Sequence, residues 1–199
     1  TAHHDPDSRV QLAGAKHPQE HSSLQQIGNV LLSNASVSVR KDALLHLVKI
    51  GPASQILPLL IDRLTDPSST IQCAAAHALG ELGDTRCVDA LIRRAESADS
   101  SLLRAIANAF GALGTADSQP TLLQMLKHTD STVQIAAMAA LGCVGTDTIL
   151  ERLVPYTKGL MAEGPLRQTA VAAVQQIQKR IEEQSAAILA SPIETKKLP

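Results

Sequence analysis

A chain of 199 residues with 44% apolar side chains can bury a continuous core, yet it has only two aromatics, Phe110 and Tyr156, and no tryptophan. Its core must come from Leu, Ile, Val and Ala, which suits closely stacked helices and argues against a β-sandwich of aromatic and β-branched strands. The formal net charge of −1 supplies no basic field for nucleic acid, and no apolar run is long enough to span a membrane.

Residues 1–21 are polar and are read as an N-terminal arm. His17 and His21 stand four apart there, but Pro18 interrupts a helix between them and only Glu20 is at hand as a further ligand, so no metal site is expected. Ile27, Val30 and Leu31 recur at helical spacing and predict a capping helix over 22–33.

From residue 36 the chain repeats itself. Gly51, Gly83, Gly114 and Gly145 are separated by 32, 31 and 31 residues, and each closes a similar segment: 39–51, 71–83, 102–114 and 133–145. The second of these places Ile71, Ala75, Ala78, Leu79 and Leu82 on one helical face, and the others do the same with Leu44 and Leu47, Ile106 and Phe110, and Ala137 and Leu141. Asp66-Pro67-Ser68, Asp99-Ser100 and Asp130-Ser131 offer N-terminal caps, with Pro67 in a first turn, and each terminal glycine offers a left-handed stop. Gly80, Gly111 and Gly142 recur three residues earlier. An interior glycine costs roughly 1 kcal/mol against alanine, so close approach of a neighbouring helix is expected there.

A second helix follows each glycine, with stripes such as Ile56, Leu59, Leu60 and Leu64, or Val88, Leu91, Ile92 and Ala95. Repeats are bounded at about 36–66, 67–98, 99–129 and 130–161. Beyond them Leu166, Ala170, Val174 and Ile177 continue past Gln178, where a glycine would have stood, and predict one capping helix over 165–190. Residues 191–199 read as a tail or linker. A 31-residue period of hairpins that cannot bury their stripes alone defines an all-α, right-handed α-solenoid of about five stacked hairpins over residues 22–190.

The segments 71–84 and 133–145 resemble HEAT repeats, in particular the short Ala/Gly-rich variety associated with phycobilisome lyases. The resemblance covers about 36–161 and extends more weakly to 190. It implies a protein-protein interaction scaffold, acting as adaptor, regulatory or assembly module, with the second helices as an inner, concave ridge. The outward positions on those helices are Asp62, Asp89, Arg93, Arg94, Gln124, Glu151, Arg152 and Tyr156. Arg and Tyr are residue types that concentrate interface energy, so Arg93, Arg94, Arg152 and Tyr156 are expected to form one partner-binding ridge. The alternative under the same resemblance is a subunit of a bilin lyase that works with a partner chain, and only then is a bilin cofactor implied.

Other branches of the resemblance fit less well. Deoxyhypusine hydroxylases carry His-Glu dipeptides that hold iron, and none occurs here; DNA glycosylases of this type use a basic, aromatic face. No Ser/His/Asp set, phosphate-cradling loop or paired carboxylates have a supporting context, so no catalytic residue is assigned. Cys73, Cys87 and Cys143 form no close pair and no CxxC, which suits a reducing, cytoplasmic setting. Their slots hold polar residues in other repeats, so accessible thiols are expected. The partner is a protein, with no nucleic acid and no membrane insertion. The chain opens at Thr1 rather than Met, which is compatible with one domain or subunit of a larger assembly.

Overall fold

The structure is a computed structural model, and it describes residues 28–29, 32–33, 36–158 and 161–190, with side chains as far as 187. The expected arm over 1–21, most of the expected helix over 22–33 and the tail over 191–199 lie outside the described residues. Four helical hairpins follow one another: α1 (Val37–Ile50) with α2 (Ala53–Arg63), α3 (Ser69–Leu82) with α4 (Val88–Ala95), α5 (Ser100–Leu113) with α6 (Gln119–Met125), and α7 (Ser131–Val144) with α8 (Asp147–Thr157). A long helix, α9 (Gly164–Ala190), ends the array. Among the described residues there is no strand. The fold is an all-α solenoid.

One core runs through all the hairpins, from Leu32 and Leu44 through Ile71, Phe110 and Leu141 to Ile177. The first helix of each pair packs directly on the first helix of the next, α1 on α3, α3 on α5, α5 on α7, and α7 on α9. The interior glycines make this possible. A Cβ added to Gly80 would lie 2.9 Å from the Ala109 Cα, one on Gly111 would lie 3.4 Å from the Ala140 Cα, and one on Gly142 would lie 3.0 Å from the Ala173 Cα. The expectation of close helix approach is met at Gly80 and Gly142, while a Cβ on Gly111 would make ordinary contact.

Backbone approach of that closeness does not join α2 to α4, α4 to α6 or α6 to α8. The first helices therefore pack closer together than the second helices do, a difference in spacing between the two layers. Its physical cause is the Ala/Gly composition of the first helices, which brings their axes together.

The helix ends also differ from the sequence reading in detail. Asp99 accepts a hydrogen bond from the Leu102 amide at 2.8 Å, and Asp130 accepts one from the Thr132 amide at 2.8 Å. Thr132 also donates its hydroxyl to Asp130, and these bonds hold that carboxyl below its ordinary pKa. Ahead of α3, however, the cap position is Ser68, whose side chain makes no capping bond, and Pro67 precedes the helix instead of entering its first turn. Asp66 is buried and bonds the Ser68 amide (2.9 Å) and the Arg40 guanidinium (2.8 Å), which ties α1 to the turn before α3. Gly83 and Gly114 are left-handed, both at φ 69°. Gly51 and Gly145 are extended instead. Gly51 is held extended by Pro52, because the ring of a proline disfavours helical geometry in the preceding residue. At Gly145 the last turn of α7 is closed by Arg180, which donates to the Cys143 carbonyl at 2.6 Å and the Gly142 carbonyl at 3.2 Å.

Candidate functional site

The outward residues of the second helices differ in what surrounds them. Asp62 is exposed and ion-paired with its neighbour Arg63. Asp89 and Arg93 are exposed on α4, and Glu151 is exposed on α8. Arg94 is half-buried and faces the preceding repeat: it donates to the Leu64 carbonyl at 2.9 Å, to the Gln72 side chain at 2.8 Å and to Ser97 Oγ at 3.1 Å. Arg63, one repeat earlier, donates to the Leu32 carbonyl at 3.2 Å in the same manner. These two arginines hold the end of one second helix to the next repeat. In the later repeats the corresponding slot holds Met125 and Tyr156.

That change of residue opens a groove. Gln124, Arg152 and Tyr156 come together between α6 and α8, around a volume of about 490 Å³. Pro120, Leu123, Leu126 and Pro155 make its apolar lining, and Met161 stands at its edge, 63% exposed, the most exposed large apolar side chain among the described residues. Lys127 and Arg152 supply two positive charges, and no carboxylate lines the groove. Among the described residues neither cationic side chain has a hydrogen bond or an ion pair. An apolar trough bordered by uncompensated cations can hold an apolar side chain flanked by carboxylates, because the cations gain partners without losing any.

The sequence reading missed Lys127 and Met161. Lys127 follows a slot sequence of Thr65, Glu96 and Lys127, in which a repeat-by-repeat comparison shows charge reversal. Met161 carried no periodic signal, because it lies after α8 where the repeat stops.

Some of the thiols are accessible, as expected, but Cys87 is not. Cys87 is fully buried, and so are Ser118 and Ile149 in the same slot, so that slot is core. Burial pushes the Cys87 thiol up to about 11. Cys73 is half-buried and its pKa is raised by desolvation, while Cys143 is exposed. His46 and His77 are exposed on the first helices. Among the described residues no group of three or more His, Cys, Asp or Glu is placed to hold a metal ion, and no helix is long and apolar enough to cross a membrane.

The fold and the groove define an α-helical repeat protein with open inter-repeat surfaces. A family model of HEAT repeats matches residues 24–109 and again 88–175. The chain belongs to the HEAT-repeat family. No curated protein matches it. Among solved structures, an engineered protein is similar at 21% identity, with 86% of this chain and 89% of that one covered and a TM-score of 0.55. The complex of CpcE and CpcF of phycocyanin lyase from Nostoc sp. PCC7120 is similar at 22% identity, with 87% and 78% covered and a TM-score of 0.54. At these identities the likeness is one of fold.

Proposed function

We propose that this chain is a protein-binding scaffold and that the groove between α6 and α8 receives a partner's apolar segment flanked by acidic residues. The supporting observation is the convergence on one apolar trough of Tyr156, Met161 and two cations, Lys127 and Arg152, that have no partner among the described residues. Aromatic and Arg side chains around a desolvated pocket are the usual carriers of binding energy. The three free cysteines suit work in the cytoplasm, where thiols stay reduced. A photo-reactive residue in place of Gln124 tests the groove in extract from cells that make the protein. Arg152→Glu with Tyr156→Ala should reduce capture of the cross-linked partner at least about tenfold, whereas Arg93→Glu should leave it unchanged. Capture that survives the double variant, or falls equally with Arg93→Glu, refutes this site.

The likeness to CpcE and CpcF favours a second reading, a bilin-lyase subunit that needs a partner chain. Mixing the protein with bilin, alone and with a candidate partner subunit, should then shift the bilin absorbance. An unchanged spectrum in both mixtures removes this reading and leaves the scaffold.

A further inference from the structure

The layer of first helices carries a second groove, of about 450 Å³, across α1, α3 and α5. Lys41, Cys73 and Arg104 line it from one equivalent position on three successive first helices, so they form a row across the stack. The fourth residue of that row, on α7, is the half-buried Ile135. Lys41 and Arg104 are exposed, and among the described residues neither side chain has an ion pair or hydrogen bond. Thr70, Ser101 and Asn108 add hydroxyl and amide groups along the same groove, and no carboxylate lines it. The Asp99 carboxylate, whose charge adds to burial in raising the Cys73 pKa, accepts a hydrogen bond from the Leu102 amide at 2.8 Å.

We propose that this groove binds an extended segment of a partner protein that carries two carboxylates about five residues apart and an apolar residue about three further on. The spacing follows from the row. Packed helix axes lie about 8–10 Å apart, so Lys41 and Arg104 are separated by roughly 16–20 Å. An extended chain advances about 3.3 Å per residue and covers that span in five or six residues. One more helix brings it to Ile135. The hydroxyl and amide groups between the two charges serve the backbone of the segment, and the cations choose its acids. This site lies on the opposite layer from the α6–α8 groove and is independent of it, so the scaffold can hold two segments at once.

The probe is a fluorescein-labelled nine-residue peptide with glutamate at its first and sixth positions, leucine at its ninth and glycine or serine elsewhere. Binding by anisotropy at low salt should weaken at least fivefold when both glutamates become glutamine. It should weaken about five- to tenfold in Lys41→Gln with Arg104→Gln, since each exposed ion pair contributes modestly and is screened by salt. Arg152→Glu with Tyr156→Ala should leave it unchanged, which separates this site from the other groove. Bound peptide should slow alkylation of Cys73 and leave Cys143 unaffected, a local report that a remote ionic contact does not give. The proposal is overturned if the peptide does not bind at 1 mM (about the weakest affinity such contacts give). Glutamine and glutamate peptides of equal affinity overturn it as well, as does a double variant that binds normally or an eight-nucleotide single-stranded DNA that binds as well as the peptide.

Discussion

Gly80→Ala and Gly111→Ala are the same change at equivalent positions of neighbouring helices, and they should move stability in opposite directions. Both gain helix propensity, roughly 1 kcal/mol for replacing an interior glycine with alanine. What differs is the space. At Gly80 the new methyl carbon would lie 2.9 Å from the Ala109 Cα and 3.3 Å from its Cβ, a clash with backbone that only a shift of α5 relieves. Overpacking of this kind costs about 1–3 kcal/mol, so the net change is a loss of about 1 kcal/mol. At Gly111 the nearest atoms are the Ala140 Cα at 3.4 Å and Cβ at 3.5 Å, ordinary contact, so most of the propensity gain should survive. Gly142→Ala should fall between them, because one close neighbour is the movable Gln176 side chain at 2.9 Å while the Ala173 Cα at 3.0 Å is not movable. Urea unfolding followed by helical ellipticity measures the three, with equal m-values required for the comparison. If Gly80→Ala stabilises, the reading of Gly80 as an approach site is refuted; if Gly111→Ala destabilises by more than about 0.5 kcal/mol, the reading of Gly111 as a position with room for a methyl group is refuted.

Arg94→Ala should destabilise by about 1.5 kcal/mol, since it removes charged hydrogen bonds to Leu64 and Gln72; Arg93→Ala should stay within about 0.5 kcal/mol in the same unfolding assay. Asp99→Ala should cost about 1 kcal/mol through the lost cap on α5, whereas Ser68→Ala, whose hydroxyl caps nothing, should cost little. Thiol alkylation read by peptide mass should proceed fastest at Cys143, more slowly at Cys73, and at Cys87 only on unfolding. Because burial raises the Cys87 pKa to about 11, its contribution to stability is complete below the ordinary thiol range of about 9 and is lost as pH rises from there through about 11. Stability measured across that window should fall less steeply in Cys87→Ala.

The repeat, its hairpins and the reason for Gly80 and Gly142 were legible because a period multiplies one weak signal by the number of copies. Gly51 was legible too, had Pro52 been weighed against the glycine, since proline decides the geometry of the residue before it. Arg94 was not. Periodicity gives the direction of a Cβ, and a side chain as long as arginine can turn back from an outward position to reach a carbonyl 30 residues earlier. Cys87 was misplaced because Gln55, in the first repeat, is half-buried and polar, while Ser118 and Ile149 lie in the core at the same slot. One polar member of a slot does not make the slot a surface. The groove required the structure, because it depends on what α6, α8 and the segment after α8 place side by side.

The two grooves have one origin. Glycine and alanine on the first helices draw that layer together, and the second helices lack backbone approach of that closeness. Where Arg63 and Arg94 occupy the slot on those helices, the opening between repeats is bridged by hydrogen bonds to the repeat before. Where the slot passes to Met125 and Tyr156, no such bridge forms from it and the groove between α6 and α8 remains open. On the first helices the same closeness aligns Lys41, Cys73 and Arg104 into a row that a single extended segment can span. A Tyr156→Arg variant puts this to the test on the second helices. If the new guanidinium reaches the Leu126 carbonyl, it should add about 1 kcal/mol of stability and lose the partner captured through the groove. Stability unchanged and capture retained would show that the slot does not control the opening.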